Sequence, residues 1–307
     1  MNIIFLGSGE FALKSLEALA YSHQVILAVT KPDKPQDRHL RIAPATVKTL
    51  AAKLGIKTYQ PDDPNSAGSL DFLKQFPADL FVVVSYGCIL KKSLLELPKL
   101  YPLNIHASLL PKYRGAAPIN WAIINGEKET GISIIRMDQG MDSGDILLQK
   151  AIGINPEDDA ETLREKLKNI SAPAIIEAVD IIEKREEKFI KQDPDKISLA
   201  PKLERKDGLI NWNKDAKSIS AKIRGLIPWP GAFTYHNGRL IKIWKAGVSE
   251  EPLSSPGKIL HIRKNAIIVG TGQGAVEISE LQPEAGIRMS PEAFICGHKL
   301  SPGQILG

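Results

Sequence analysis

Apolar positions in the first half of the chain switch between two periods. Residues 2–6 form a short apolar run of strand type, and residues 11–20 place Phe11, Leu13, Leu16 and Leu19 at helical spacing. Residues 24–30 predict a second strand, 31–44 a polar loop with three prolines and several basic side chains, and 46–54 a helix. A short strand near 57–59 and a helix over 70–76 follow. The run Leu80-Phe81-Val82-Val83-Val84 is continuously β-prone, the pattern of a strand covered on both faces of a parallel sheet. Residues 103–106 and 132–137 extend the series. This alternation predicts a doubly wound α/β domain, whose ligand sites lie at the carboxyl ends of its strands.

Residues 163–184 form a long amphipathic stretch with Leu163, Leu167, Ile170, Ala174 and Ala178 along one stripe. Pro173 falls inside it and predicts a kink or a division, because proline removes a helical hydrogen bond. Periodicity is then lost over 193–206, which reads as a linker. Beyond it, one helix over 215–224 gives way to short strands. His236-Asn237-Gly238-Arg239 sets Asn-Gly between β-prone runs, a strong hairpin signal. Residues 258–262 and 266–269 flank another turn, and 270–274 precede a strand at 275–281. About five short strands in this length predict a small β-barrel of the oligonucleotide-binding type. The domain boundaries expected are 1–190, a linker at 191–208, and 209–307.

Composition narrows the function classes. A hydrophobic share of 43% over 307 residues supplies a core, so whole-chain disorder is excluded. No apolar run approaches the roughly 18 residues of a bilayer span, and the start reads as a first strand with no signal-peptide character. Two distant cysteines, Cys88 and Cys296, argue against a disulfide framework and for a reducing cytoplasm. The net charge of +5 is unevenly placed: residues 205–307 carry 14 Lys/Arg against 8 Asp/Glu, and residues 1–204 carry 26 against 27. A basic module joined to a near-neutral one fits a polyanionic partner or an incidental surface surplus.

Gly7-Ser8-Gly9-Glu10-Phe11-Ala12 fits G-x-G-x-x-A between a strand and a helix, which proposes either a dinucleotide site or simply a tight turn. The acidic residue expected at the end of the second strand is missing, with Asp33 the nearest candidate. More informative is the stretch from Asn104 to Gly115. Asn104 and His106 lie two residues apart at a strand end, so they point to one face. An amide donor beside an imidazole at such an edge suits oxyanion stabilisation, although a single histidine can equally be structural. Asp138-Gln139-Gly140-Met141-Asp142-Ser143-Gly144-Asp145 is a glycine-punctuated acidic loop, one of whose carboxylates could hold the imidazole charged. It lacks the ligand pattern of a calcium loop, and the six histidines show no metal-ligand spacing, so no metal is expected. No G-x-S-x-G elbow appears.

At these residues a resemblance emerges. Asn104-Ile105-His106, followed by Ser108-Leu109-Leu110-Pro111-x-Tyr113-Arg114-Gly115-x-x-Pro118, resembles the signature of enzymes that use 10-formyltetrahydrofolate. Met137-Asp138-x-Gly140-Met141-Asp142-Ser143-Gly144-Asp145 is similar to that family's second motif. Further counterparts occur at 31–35, 200–203, 228–233 and 297–303, so the resemblance covers nearly the whole chain. It implies a Rossmann-like formyltransferase domain followed by an OB-like β-barrel. Within the family, the full-length pattern resembles members that formylate methionine on initiator tRNA.

The resemblance also implies roles. Asn104 would donate to the oxyanion of the tetrahedral intermediate, and His106, kept protonated by Asp142, would add charge stabilisation. Ser85, Tyr86, Gly87, Cys88, Ile89 and Leu90 would line the pterin pocket through backbone groups, with Ser108, Leu109, Leu110, Pro111 and Asp138 also on the folate co-substrate. Cys88 reads as packing. The basic loop at 31–44 would reach the acceptor arm through Arg38 and Arg41, and Lys202 and Lys206 would follow the phosphate backbone. In this loop relatives are usually Gly- and Lys-rich, whereas this chain has Gln36-Asp37-Arg38-His39-Leu40-Arg41. Its Gly7-Ser8-Gly9 also replaces the usual Gly-Thr-Pro. A monomer is expected. The alternatives are a formyltransferase acting on an aminosugar nucleotide, which would not need the basic surplus or the basic loop, and a non-catalytic RNA-binding protein, against which the Asn104/His106/Asp142 set argues.

Overall fold

Short apolar runs become strands and the amphipathic stretches between them become helices. The structure is a computed structural model and describes residues 1–35, 42–43, 45–251 and 254–307. β1 (Asn2–Gly7) turns through Glu10–Ala12 into α1 (Leu13–Ser22), followed by β2 (Gln24–Val29) and a two-residue ladder of β3 (Lys34–Pro35) with β4 (Ile42–Ala43). α2 (Thr46–Lys53), β5 (Thr58–Tyr59), α3 (Ala67–Lys74), β6 (Leu80–Val84), α4 (Lys92–Leu95) and β7 (Tyr101–His106) complete the alternation. Then come α5 (Pro118–Ile124), β8 (Glu129–Arg136), β9 (Ile146–Gly153) and α6 (Ala160–Glu183). α7 (Ala216–Gly225), β10 (Ala232–His236), β11 (Arg239–Ser249), β12 (Ile259–Arg263), β13 (Ala266–Gly270), β14 (Ala275–Pro283) and α8 (Pro291–Gly297) end the series.

Two units result. The first comprises Met1–Gly115, Glu129–Ile152 and Arg164–Ala200; the second comprises Ala116–Lys128, Gly153–Leu163 and Pro201–Gly307. In the first, a seven-stranded sheet has the order β5-β2-β1-β6-β7-β8-β9. β5, β2, β1, β6 and β7 are parallel, and β8 returns antiparallel to β7. Leu80, Val82 and Val84 are wholly buried, each worth about 1.5–3 kcal/mol relative to exposure. That explains the unbroken apolar run of β6, since a central parallel strand has no solvent face. Part of the stretch expected as linker is ordered against the first unit. The Arg114 N–H donates to Ser198 O at 2.9 Å and the Ala200 N–H to Arg114 O at 2.7 Å.

Pro173 does not divide its helix: α6 runs undivided through Ala160–Glu183. Leu167 lies before the proline and Ala174, Ile175, Ala178, Val179 and Ile182 after it, all at most 1% exposed. Their combined burial outweighs the roughly 3 kcal/mol that an interior proline costs.

The second unit carries the short strands expected, as an antiparallel five-stranded sheet ordered β10-β11-β14-β13-β12. Asn237 and Gly238 at the β10–β11 hairpin both have positive φ, 49° and 75°, the left-handed pair that an Asn-Gly turn supplies. α7 begins where Asp215 accepts the Ser218 N–H at 2.9 Å and buries Ile219 and Ile223 with Ile243, Ile267 and Ile278 of the sheet. α5 belongs to this unit: the Asn120 amide donates to Gly225 O and the Trp121 indole to Pro201 O, both at 2.8 Å.

Candidate active site

The site lies in the first unit at the carboxyl end of β7. Its register sets Asn104 beside Val83 of β6 and Ile135 of β8, and His106 beside Ser133. With period-two alternation, Asn104 and His106 share a face, and the structure brings both to one atom. Asn104 Nδ2 donates to Asp142 Oδ1 at 3.3 Å, and His106 Nδ1 is 3.4 Å from the same oxygen. Both contacts are longer than a relaxed charged hydrogen bond of about 2.8 Å, so the groups are gathered but not locked together. His106 Nε2 lies 2.9 Å from the Tyr113 carbonyl. Each ring nitrogen therefore faces an acceptor, an arrangement that accommodates a proton on both.

Asp142 is held from several directions. Its φ of 51° is left-handed, a conformation that needs outside support in a residue other than glycine. The Gly115 N–H donates to Oδ2 at 2.9 Å. Gln192 Nε2 donates to the Asp142 and Gly144 carbonyls, both at 2.8 Å, and Gln192 Oε1 accepts from Arg114 Nε at 3.0 Å and Nη2 at 2.8 Å. Burial is the largest influence on the Asp142 carboxyl and pushes its pKa up. The His106 hydrogen bond and charge, the Gly115 N–H and the Arg114 charge together outweigh it and leave the group below the usual carboxylate range. Gly144 is required sterically, because a Cβ there would overlap the Arg136 carbonyl.

Gly115 ties this loop to the 104–115 stretch, which is itself internally braced. Ser108 Oγ donates to Lys112 O at 2.6 Å, Ser133 Oγ to Ser108 O at 2.7 Å, and the Leu110 N–H to Ser133 Oγ at 3.0 Å. Ser108 and Leu110 are buried, while Leu109 and Pro111 are partly exposed. Asp138 stands on the exposed side of its loop, where its Oδ1 accepts from the Gly140 N–H at 3.0 Å and Ser143 Oγ at 2.6 Å.

The 85–90 turn follows β6, the strand next to β7, and so reaches the same sheet edge. Ser85 and Gly87 have positive φ, 48° and 68°. Tyr86 and Leu90 are buried in the apolar cluster beneath, Cys88 packs against it, and Ile89 is 85% exposed. Among the described residues the buried Tyr86 hydroxyl has no hydrogen-bond partner, and desolvation drives its pKa up. Lys31 Nζ donates to Gly87 O at 2.8 Å, joining the end of β2 to this turn.

Asp33, the nearest stand-in for a ribose-binding acid, is instead a brace. It accepts from the Ala45 N–H at 3.1 Å, Lys48 Nζ at 2.5 Å and Gln60 Nε2 at 2.7 Å. The bond from Lys48, with those from Gln60 and Ala45, holds its carboxyl pKa at about 2. A Cβ on Gly7 would meet the Phe5 ring at 2.5 Å, as a tight strand-to-helix turn requires. Arg38 and Arg41 lie outside the described residues. In the second unit, Lys202 is exposed and Lys206 pairs with Glu204 at 2.7 Å. Among the described residues no group of three or more His, Cys, Asp or Glu could hold a metal ion, and no helix is long and apolar enough to cross a membrane.

Sequence reasoning did not find Gln192. It lies beyond the end of α6 in a stretch without periodicity, and only its contacts with Arg114, Asp142 and Gly144, 48 to 78 positions away, give it significance. Gly115 was visible within its motif, but its N–H contact to Asp142 has no sequence signal.

The chain matches two families, Formyl transferase over residues 1–179 and Formyl transferase, C-terminal domain, over residues 202–299. It is 41% identical over 308 residues to methionyl-tRNA formyltransferase of Geobacter sulfurreducens, covering 100% of this chain and 97% of that protein. It is 43% identical over 314 residues to methionyl-tRNA formyltransferase of Caldanaerobacter subterraneus, covering 100% of both. Among solved structures, an N-formyltransferase from Helicobacter canadensis in complex with folinic acid and dTDP-3-aminofucose shares the fold. Its TM-score is 0.70 at 22% identity, covering 92% of this chain and 99% of that one.

Proposed function

The chain belongs to the methionyl-tRNA formyltransferase family, and from that premise we propose that it moves a formyl group from 10-formyltetrahydrofolate to the α-amino group of methionine on initiator tRNA. The donor supplies an activated formyl carbon and a nitrogen leaving group. A carbon–nitrogen bond forms to the methionine amine as the bond to the folate nitrogen breaks, and one proton passes from the amine to that nitrogen.

The observation that carries this reading is the convergence of Asn104 and His106 on one oxygen of Asp142. That donor set fits a formyl group. Asn104 has an amide NH₂ whose bond to Asp142 uses one of two protons, whereas both ring nitrogens of His106 already face acceptors, so its part is charge held beside a carboxylate that stays ionised. In this reading the Asn104 amide donates to the negative charge developing on the formyl oxygen, worth around 2.7–4 kcal/mol in the transition state, and His106 adds to that stabilisation through its charge. Asp142 holds the imidazole's charge and orientation.

The remaining assignments are part of the same proposal. Residues 85–90 hold the pterin ring chiefly through backbone groups, since the side chains of Tyr86 and Leu90 are spent in the core. Ser108, Leu109, Leu110, Pro111 and Asp138 complete the donor site. Arg38, Arg41, Lys202 and Lys206, with the basic surplus beyond residue 204, engage tRNA phosphates. The chemistry resides in 1–190, and 209–307 is a tRNA-binding domain joined through 191–208 that acts together with these basic residues, in a protein that acts as a monomer in the cytoplasm. A direct test mixes the protein and 10-formyltetrahydrofolate with either charged initiator tRNA or an aminosugar nucleotide. Formylmethionyl-tRNA is the expected product, and formylation of the sugar alone would refute the assignment.

A further inference from the structure

We propose that Gln192 is a positioning residue for formyl transfer, linking the Arg114 guanidinium to the backbone of the 142–144 turn so that the Asp142 carboxylate is presented to Asn104 and His106. This rests on the formyl-transfer reading above.

The hydrogen-bond inventory of Gln192 is fully used. Its NH₂ has two donors, and two carbonyls, those of Asp142 and Gly144, each lie 2.8 Å from Nε2. Its Oε1 has two acceptor sites, and the Nε and Nη2 of Arg114 approach at 3.0 and 2.8 Å. Flipping the amide would set NH₂ against a guanidinium and an oxygen against two carbonyls, so the assignment is fixed by its partners. Both carbonyls that Gln192 grips belong to a strained turn. Asp142 is left-handed at φ 51°, and Gly144 lies so close to Arg136 that no side chain fits.

The other side of the clamp is anchored independently. The Arg114 N–H donates to Ser198 O at 2.9 Å, its carbonyl accepts from the Ala200 N–H at 2.7 Å, and the next residue, Gly115, donates its own N–H to Asp142 Oδ2. Gly115 therefore fixes the Asp142 carboxylate, and Gln192 fixes the backbone from which that carboxylate hangs. One rigid segment, 114–115, supplies both supports. The guanidinium also stands one amide away from Asp142, and its charge favours the ionised carboxylate. Among the described residues the side chain of Gln192 bonds to Arg114, Asp142 and Gly144, and to neither Asn104 nor His106. Its effect on the reaction passes through Asp142.

The test is steady-state formylation by the full chain carrying Gln192→Ala, Gln192→Glu, Arg114→Ala or the Gln192→Ala/Arg114→Ala pair, with thermal midpoints measured alongside. Glutamate keeps the length of glutamine and the acceptor for Arg114 but offers no donor to the two carbonyls. Both Gln192 variants should lose kcat by roughly tenfold to a hundredfold, as expected for a misplaced reacting group. The KM for tRNA and for formyl donor should stay within about twofold. The double variant should be no slower than the slower single one, because both changes break one chain of contacts. Near-wild-type kcat in Gln192→Glu overturns the clamp, as does a kcat loss in Gln192→Ala that tracks a fall in thermal midpoint and is rescued by Gln192→Glu. If the alanine variant does not fold, the glutamate variant decides alone. A wild-type control separates the two readings. Absence of formylmethionyl-tRNA from wild type overturns the reaction, whereas active wild type with equally active variants overturns only the clamp.

Discussion

At the scale of single residues, Asp142 is the shared element, and its two neighbours depend on it unequally. Asn104 touches it with one of two amide protons, whereas His106 relies on it for the acceptor facing Nδ1. Asn104→Ala should therefore remove one oxyanion donor and lower kcat by roughly a hundredfold to a thousandfold with little change in KM. Formylation kinetics with charged initiator tRNA would show it, and an unchanged kcat would take Asn104 out of the reaction. His106→Ala should be comparably slow while tRNA affinity is retained. Asp142 also couples the site to stability. Its pKa is depressed in the fold, so its contribution is present above the ordinary carboxylate value of about 4 and fades as pH falls through the lower folded value. Asp142→Asn should then lower the thermal midpoint at pH 7, and the deficit should shrink as pH falls below about 4. A deficit of the same size on both sides of that pH would contradict the linkage. Asn104 and His106 were legible because strand alternation is local. Gln192 was not, because nothing within its own stretch distinguishes an amide that grips a distant turn from one that faces water.

At the scale of elements, legibility followed periodicity. The buried run of β6 and the Asn-Gly hairpin were readable because each carries its own signal. β9 was missed: it lies at the end of the sheet order, and its Gln149 and Lys150 interrupt the apolar alternation. α5 is only seven residues long, and its burial depends on contacts with Pro201 and Gly225 far along the chain. α6 is instructive because the division offered by its proline does not occur. A proline was weighed by its local cost alone, while the apolar stripe on either side of it sets the outcome. If that account holds, Pro173→Ala restores a backbone N–H inside a helix already held by packing. It should raise stability by up to about 3 kcal/mol, the interior cost of proline. The expected readout is a thermal midpoint higher by several degrees with formylation unchanged. A lower midpoint would mean that the proline fits a backbone geometry alanine does not support.

For the whole molecule, the deciding quantity is where charge is placed. The surplus of basic residues beyond 204 was visible by counting, but counting cannot tell which cations are already partnered. Lys202 and Lys206 look equivalent in sequence. In the structure both are exposed, yet Lys206 lies 2.7 Å from Glu204, and that bond and charge raise its pKa. A polyanion approaching Lys206 must compete with the carboxylate or tolerate it nearby. Glu204→Gln should release Lys206 and remove a repulsive charge, strengthening tRNA binding several-fold at low salt. Since each phosphate neutralised by a lysine adds up to about one to the slope of log affinity against log salt, the slope should steepen by as much as that. Lys206→Ala in the Glu204→Gln background should then cost more affinity than in wild type, because the lysine is no longer shared. Nitrocellulose-filter or fluorescence titrations of charged initiator tRNA across a salt series would measure both effects. Equal costs for Lys206→Ala in the two backgrounds would show that Lys206 does not follow the phosphate backbone.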